Sequence, residues 1–155
     1  MTRELKIRIE DYEAIEAKLL KIGAKFDKEI KYRYLYFNQP EGKVLKITER
    51  DGQFFLSKLE LKGQNFEVQE PRLLKDVGQV IAKLSKEFGV KKRLVNKRRF
   101  FKYKDHVIST NRIGGWQFLI IEGESPDISV VTDDLGIKSP NVITESFDNL
   151  PLPNP

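Results

Sequence analysis

The chain has 155 residues, enough to bury one sizeable core, and its 39% apolar and 33% charged residues are an ordinary globular composition. It has no cysteine, which excludes disulfides and thiolate metal sites, and no apolar run approaches the roughly 20 residues that a membrane-spanning helix needs. Its 28 Lys and Arg against 23 Asp and Glu leave a net charge of +5, which favours anionic partners.

Residues 2–9 alternate. Thr2, Glu4, Lys6 and Arg8 share one face and Leu5, Ile7 and Ile9 the other, the period of a strand with one dry side. This start lacks the apolar stretch of a secretion signal, so the chain reads as cytoplasmic. Asp11 can cap a helix whose apolar residues are Tyr12, Ile15, Leu19 and Ile22, with Gly23 at its expected stop. Residues 29–37 are rich in Tyr and Phe and read as a strand. Pro40-Glu41-Gly42 makes a turn, and Asp51-Gly52 joins strands 43–50 and 53–62 as a hairpin. A short strand near 66–70 ends at Pro71.

The second half repeats the scheme. Asp76 can cap a helix carrying Val77, Ile81, Leu84 and Phe88, closed by Gly89. Strands follow at 93–103, 106–112 and 116–124, with turns at Lys104-Asp105 and Gly114-Gly115. Two β-α-β-β-β halves give about eight strands and two helices, an α+β class with an antiparallel sheet. The segment from 126 onward has no clear period and reads as an irregular tail on a single domain spanning 1–155.

Charge on these strands is concentrated. Apolar residues such as Leu5, Ile47, Leu119 and Ile121 would pack under the helices, while Glu4, Lys6, Arg8, Lys46, Lys58, Lys97, Arg99 and Glu122 would collect on the other face. That face either meets solvent or lines the wet interior of a closed sheet, and periodicity alone favours the solvent. An interior of converging Lys and Arg would need an anion inside it.

Motif order adds a second line of argument. The stretches are Thr2-Arg3-Glu4-Leu5-Lys6, Ile22-Gly23-Ala24, Tyr36-Phe37-Asn38, Leu45-Lys46-Ile47-Thr48, Lys58 near the end of the next strand, Val95-Asn96-Lys97-Arg98-Arg99, and Gly115 to Glu122. In this order the chain resembles the CYTH family, which includes class IV adenylyl cyclases, thiamine triphosphatases and inorganic triphosphatases and belongs to the triphosphate tunnel metalloenzymes. The resemblance spans roughly residues 2–124, with a weaker echo in Leu135-Gly136-Ile137 and Ser146-Phe147.

The resemblance implies a closed antiparallel β-barrel with helices outside and a tunnel that grips a triphosphate. It assigns phosphate binding to Lys6, Arg8, Lys46, Lys58, Lys97 and Arg99, and catalytic roles to Lys6, Lys58 and Lys97. Glu4, Glu67 and Glu122 would hold Mg²⁺ or Mn²⁺. Lys and Arg neutralise phosphate oxygens, and such metals take oxygen ligands and bridge phosphates. The sequence departs from the family pattern at Thr2, Ile120 and Thr110, where acids are expected, and at Thr48, where a base is expected. Three acids are lost against one base, so metal binding should suffer more than anion binding.

The expected function is therefore binding of a nucleotide, thiamine triphosphate or inorganic polyphosphate, with weak phosphohydrolase or adenylyl cyclase activity at most. The alternative is a non-catalytic module that senses such a polyanion. Nucleic acid is a less favoured partner, although Tyr32, Tyr34, Phe100 and Tyr103 lie near basic residues as in a stacking platform. No membrane partner is expected, and the sequence is compatible with a homodimer. His106 reads as an exposed turn residue, Trp116 as a core or rim residue, and Gly114-Gly115 as a turn with no following helix to hold a phosphate.

Overall fold

The alternating segments become strands because each has an apolar face to bury, and their turns carry the residues that tight reversal needs. The structure, a computed structural model, describes residues 2–155. The first half comprises β1 (Thr2–Ile9), α1 (Tyr12–Lys21), β2 (Lys25–Phe37), β3 (Lys43–Arg50) and β4 (Gln53–Lys62). The second comprises β5 (Asn65–Val68), the two-residue β6 (Arg72–Leu73), α2 (Val77–Phe88), β7 (Val90–Tyr103), β8 (His106–Ile113) and β9 (Trp116–Gly123). Asp11 accepts a hydrogen bond from the Ala14 amide and Asp76 one from the Gln79 amide, so both predicted caps form.

Every pairing is antiparallel. The strands run in the order β1-β5-β4-β3-β2-β7-β8-β9, and β9 returns to β1, closing an eight-stranded barrel. The helices lie outside. One outer core, with Leu5, Ile7, Leu119 and Ile121 from the wall, lies under Ile15 and Leu19 of α1. Another, Phe37, Leu45 and Ile47, lies under Val77, Ile81 and Leu84 of α2. No helix among the described residues is long and apolar enough to cross a membrane.

The segment after β9 is more ordered than its sequence suggests. It forms a short α3 (Ser129–Thr132), β10 (Asn141–Ile143) and a 3₁₀ turn (Phe147–Asn149). β5 covers only Thr2–Glu4 on its side of β1, and β10 pairs with Lys6–Arg8 beyond it. The chain then turns inward. Phe147 and Leu152 are buried against Tyr36, Leu94 and Phe118 inside the barrel, with Leu150 beside them. Lys91 forms an ion pair with Asp148 at 3.1 Å, and the Lys92 ammonium donates to the Leu150 carbonyl at 2.9 Å. Gly114, at φ +54°, lets Pro153 close over it: a Cβ there would lie 2.6 Å from Pro153 Cγ. The tail is a plug, and it shuts one end of the barrel.

Candidate functional site

The opposite end is open and leads into a cavity of about 630 Å³. Its wall is built by one face of each contributing strand: Thr2 and Glu4, Tyr32 and Tyr34, Lys46, Thr48 and Arg50, Phe55 and Ser57, Arg98 and Phe100, and Glu122. Glu4 and Glu122 stand directly opposite each other on β1 and β9. The Arg98 guanidinium lies against both carboxylates, hydrogen-bonded to Glu122 and 4.0 Å from Glu4. Its Nε donates to Ser109 Oγ at 2.9 Å, and its face rests on Phe100. Deeper in, Asn96 donates to the Tyr34 hydroxyl at 3.1 Å and to Asn111 Oδ1 at 2.8 Å, and Asn111 donates to Ser109. This network holds Arg98 in one orientation.

The charges are strongly coupled. Burial alone would lower the Arg98 pKa, but Glu122 and Glu4 outweigh it and hold it above its ordinary value. Burial raises the Glu122 carboxyl, with Glu4 adding to the effect and Arg98 opposing it. Burial brings Lys46 down to about 8, and pushes the Tyr34 hydroxyl up to about 12. Lys46 lies over the Tyr34 ring, 4.2 Å from its centroid, and forms no ion pair among the described residues.

Lys6 faces the interior but not the cavity. Its ammonium donates to the Glu145 carbonyl at 3.2 Å and sits 3.8 Å from the Phe147 ring centroid and 4.9 Å from that of Phe66. The plug has captured it. Burial holds its pKa down at about 7, with partial relief from Glu4. The group is therefore charged in the unfolded chain and half-neutral in the folded one near neutrality. Its cost to folding is full below pH 7 and disappears as pH climbs toward 10.5. Lys6→Met should stabilise the fold by about 1–3 kcal/mol at pH 6. That gain should shrink steadily by pH 9.5, as read by urea melts of both proteins; a pH-independent gain would contradict the assignment.

The remaining predicted site residues lie elsewhere. Arg8 is exposed at the plugged end, its guanidinium 3.7 Å from the Trp116 ring centroid. Lys58 is on the outer face of β4, in a groove against Lys83 and Glu87 of α2. The reason is phase: Phe54 and Leu56 pack outward under α2, and Lys58 shares their side. Lys97 and Arg99 are also outside. Phe101, in their phase, belongs to the core under α1, while Leu94 and Phe100 turn inward and bring Asn96 and Arg98 with them. Arg99 instead docks α1, its Nε donating to both Glu16 oxygens at 2.9 and 3.0 Å, and Thr110 donates to the same carboxylate. Glu67 faces outward, 3.8 Å from Arg3. Of the nine predicted residues, only Glu4, Lys46 and Glu122 line the cavity, and Lys6 lies beneath it.

Arg98, Arg50 and the aromatic wall were absent from the expected site. Leu94 and Phe100, two positions apart from Asn96 and Arg98, were the available signal for Arg98, but Val95 and Phe101 give the other phase an equal claim. Tyr32, Tyr34 and Phe100, three of the four aromatics in the stacking-platform reading, turn inward, while Tyr103 packs against the outer core.

No protein-family model and no curated protein matches the sequence. Solved structures do match. The PH1012 protein of Pyrococcus horikoshii superposes with a TM-score of 0.82 at 24% identity, over 97% of this chain and 99% of that one. A conserved hypothetical protein from Pyrococcus furiosus gives 0.83 at 22%, with coverage of 97% and 99%. A candidate adenylyl cyclase from Hippeastrum with a dominant triphosphatase activity gives 0.65 at 14%, covering 94% and 91%. The fold is that of the CYTH-type tunnels.

Within that fold, this CYTH-like barrel has an unusual centre. Among the described residues no three Asp, Glu, His or Cys side chains converge to hold an ion. Glu4 and Glu122 are placed to do so in part, but the Arg98 guanidinium is already their counter-charge. The donor set does not fit a resident Mg²⁺ or Mn²⁺, which would have to displace or share space with a fixed cation.

Proposed function

We propose that the chain is a binding protein for a phosphate-bearing small molecule, of the triphosphate class implied by the CYTH resemblance or a shorter relative. The ligand enters at the open end and sets its phosphate against Lys46, with Arg50 at the rim. One observation carries this reading: Lys46 is a half-buried ammonium without an ion-pair partner among the described residues, facing a cavity of about 630 Å³. An anion supplies the missing charge, and the volume suits a small organic molecule. Thr48 and Ser57, whose hydroxyl oxygens lie 3.4 Å apart, offer further hydrogen bonds to phosphate oxygens.

Turnover is not part of this reading. Phosphoryl transfer in CYTH enzymes relies on divalent metal, and the cavity lacks a ligand set to hold one. Lys6, with its amine turned into the plug, is not offered to a ligand.

Calorimetry with ATP, thiamine triphosphate and tripolyphosphate, each with EDTA or with Mg²⁺, tests the proposal. Binding of at least one is expected, with Lys46→Ala weakening it about 10- to 150-fold, the equivalent of one charge-assisted contact. Lys97→Ala, on the outer wall, should leave it unchanged. Vigorous metal-dependent release of phosphate or cyclic AMP by the unaltered protein would overturn the non-catalytic reading.

A further inference from the structure

Four cations belong to the barrel interior, but two are already spent. Arg98 is committed to Glu4, Glu122 and Ser109. Lys6 is committed to the Glu145 carbonyl and the Phe147 ring. Lys46 and Arg50 remain, neither with an ion pair among the described residues. A ligand's phosphate must also approach past carboxylates: Glu4 and Glu122 in the wall and Glu70 at the mouth. The floor is closed by the plug, so a phosphate chain cannot run on through the barrel. The upper wall is aromatic. Tyr32 and Tyr34 stack with ring centroids 5.9 Å apart, Phe55 lies under Arg50, and Phe100 stands opposite.

We infer that this cavity selects an organic phosphate monoester with a flat ring, bound without divalent metal, over the corresponding triphosphate. The inference rests on the phosphate-binding reading above and deepens it. A monoester carries about −1.5 to −2 charges at neutral pH, which Lys46 and Arg50 together balance. Each added phosphate brings at least one more negative charge with no free cation to meet it. Glu4 and Glu122 outweigh Arg98 by one negative charge and Glu70 adds another, and these would then repel the surplus across a poorly screened space. The ring finds the aromatic faces that an inorganic polyphosphate cannot use.

Two ladders of ligands test this: adenosine mono-, di- and triphosphate, and thiamine mono-, di- and triphosphate, titrated calorimetrically in EDTA and in Mg²⁺. The expected result is that affinity falls by about tenfold or more from mono- to triphosphate in whichever ladder binds, and that Mg²⁺ is not required. Glu122→Gln keeps the shape, removes one repelling charge and releases Arg98, and should raise triphosphate affinity about tenfold. Affinity rising with phosphate number, or a requirement for Mg²⁺, would overturn the inference and leave the phosphate-binding reading standing. Absence of binding by every member of both ladders would overturn both.

Discussion

Arg98→Ala is expected to lower stability by about 3–5 kcal/mol at pH 7, the penalty for leaving buried charge uncompensated. Two carboxylates face each other across β1 and β9, and the guanidinium is their nearest cation. Removing it leaves Glu4 and Glu122 with each other in a half-closed cavity. Burial already raises the Glu122 carboxyl, and loss of the opposing Arg98 charge would raise it further. A raised carboxyl pKa destabilises the charged form of the folded state, so the deficit is largest above that pKa and shrinks as Glu122 takes up a proton at lower pH. Urea melts of variant and parent should therefore converge between pH 7 and pH 5. Mn²⁺ should stabilise the variant, because it can enter the vacated space, and should leave the parent unaffected. A variant as stable as the parent at pH 7 would mean that water, not Arg98, neutralises this pair.

Phe147→Ala is expected to destabilise by a similar amount, about 3–5 kcal/mol, as large-to-small changes of a buried Phe do. Phe147 is 5% exposed, packs on Phe118 with centroids 4.9 Å apart, and forms the lid over the Lys6 ammonium. Its loss should open the plugged end to water, and the Lys6 pKa should climb back from about 7 toward that of a solvated amine. Thermal melts report the first effect, and ¹⁵N-detected NMR titration of the Lys6 amine the second. Phe147→Leu, which refills most of the volume, should recover over half of the lost stability. If Phe147→Ala melts like the parent and Lys6 still titrates near 7, the tail is an ornament on a barrel sealed by its own wall.

Much of this was legible in the sequence. β1, β3, β4 and α2 fall within the predicted bounds because period-two and helical spacing are local properties, and Asp11, Asp76 and Asp51-Gly52 are local signals. The inward side of Glu4, Lys6 and Lys46 was also legible, since Leu5, Ile7 and Ile9 in β1 and Leu45 and Ile47 in β3 mark the side that packs outward; Glu122 came only through the motif resemblance, because β9 is apolar in both phases. Closure of the sheet was legible only through motif resemblance, because alternation reads the same on an open face and inside a barrel.

The sequence by itself determined the barrel strands and the two long helices up to residue 124, and that one face of those strands carries charge. Only the tertiary structure decided which charges. β4 and β7 have apolar residues in both phases, so neither strand states its inner side; α1 and α2 decide it by covering Phe101, Phe54 and Leu56 and so turning Arg98 in and Lys58, Lys97 and Arg99 out. The plug was equally hidden. Phe147 and Leu152 have no periodicity to announce them, and they bury only because β10 pairs with the part of β1 that β5 is too short to reach. Local period specifies an element, but the face it buries depends on partners distant in the chain, and that choice converted a presumed metal tunnel into a closed-ended, arginine-centred cavity.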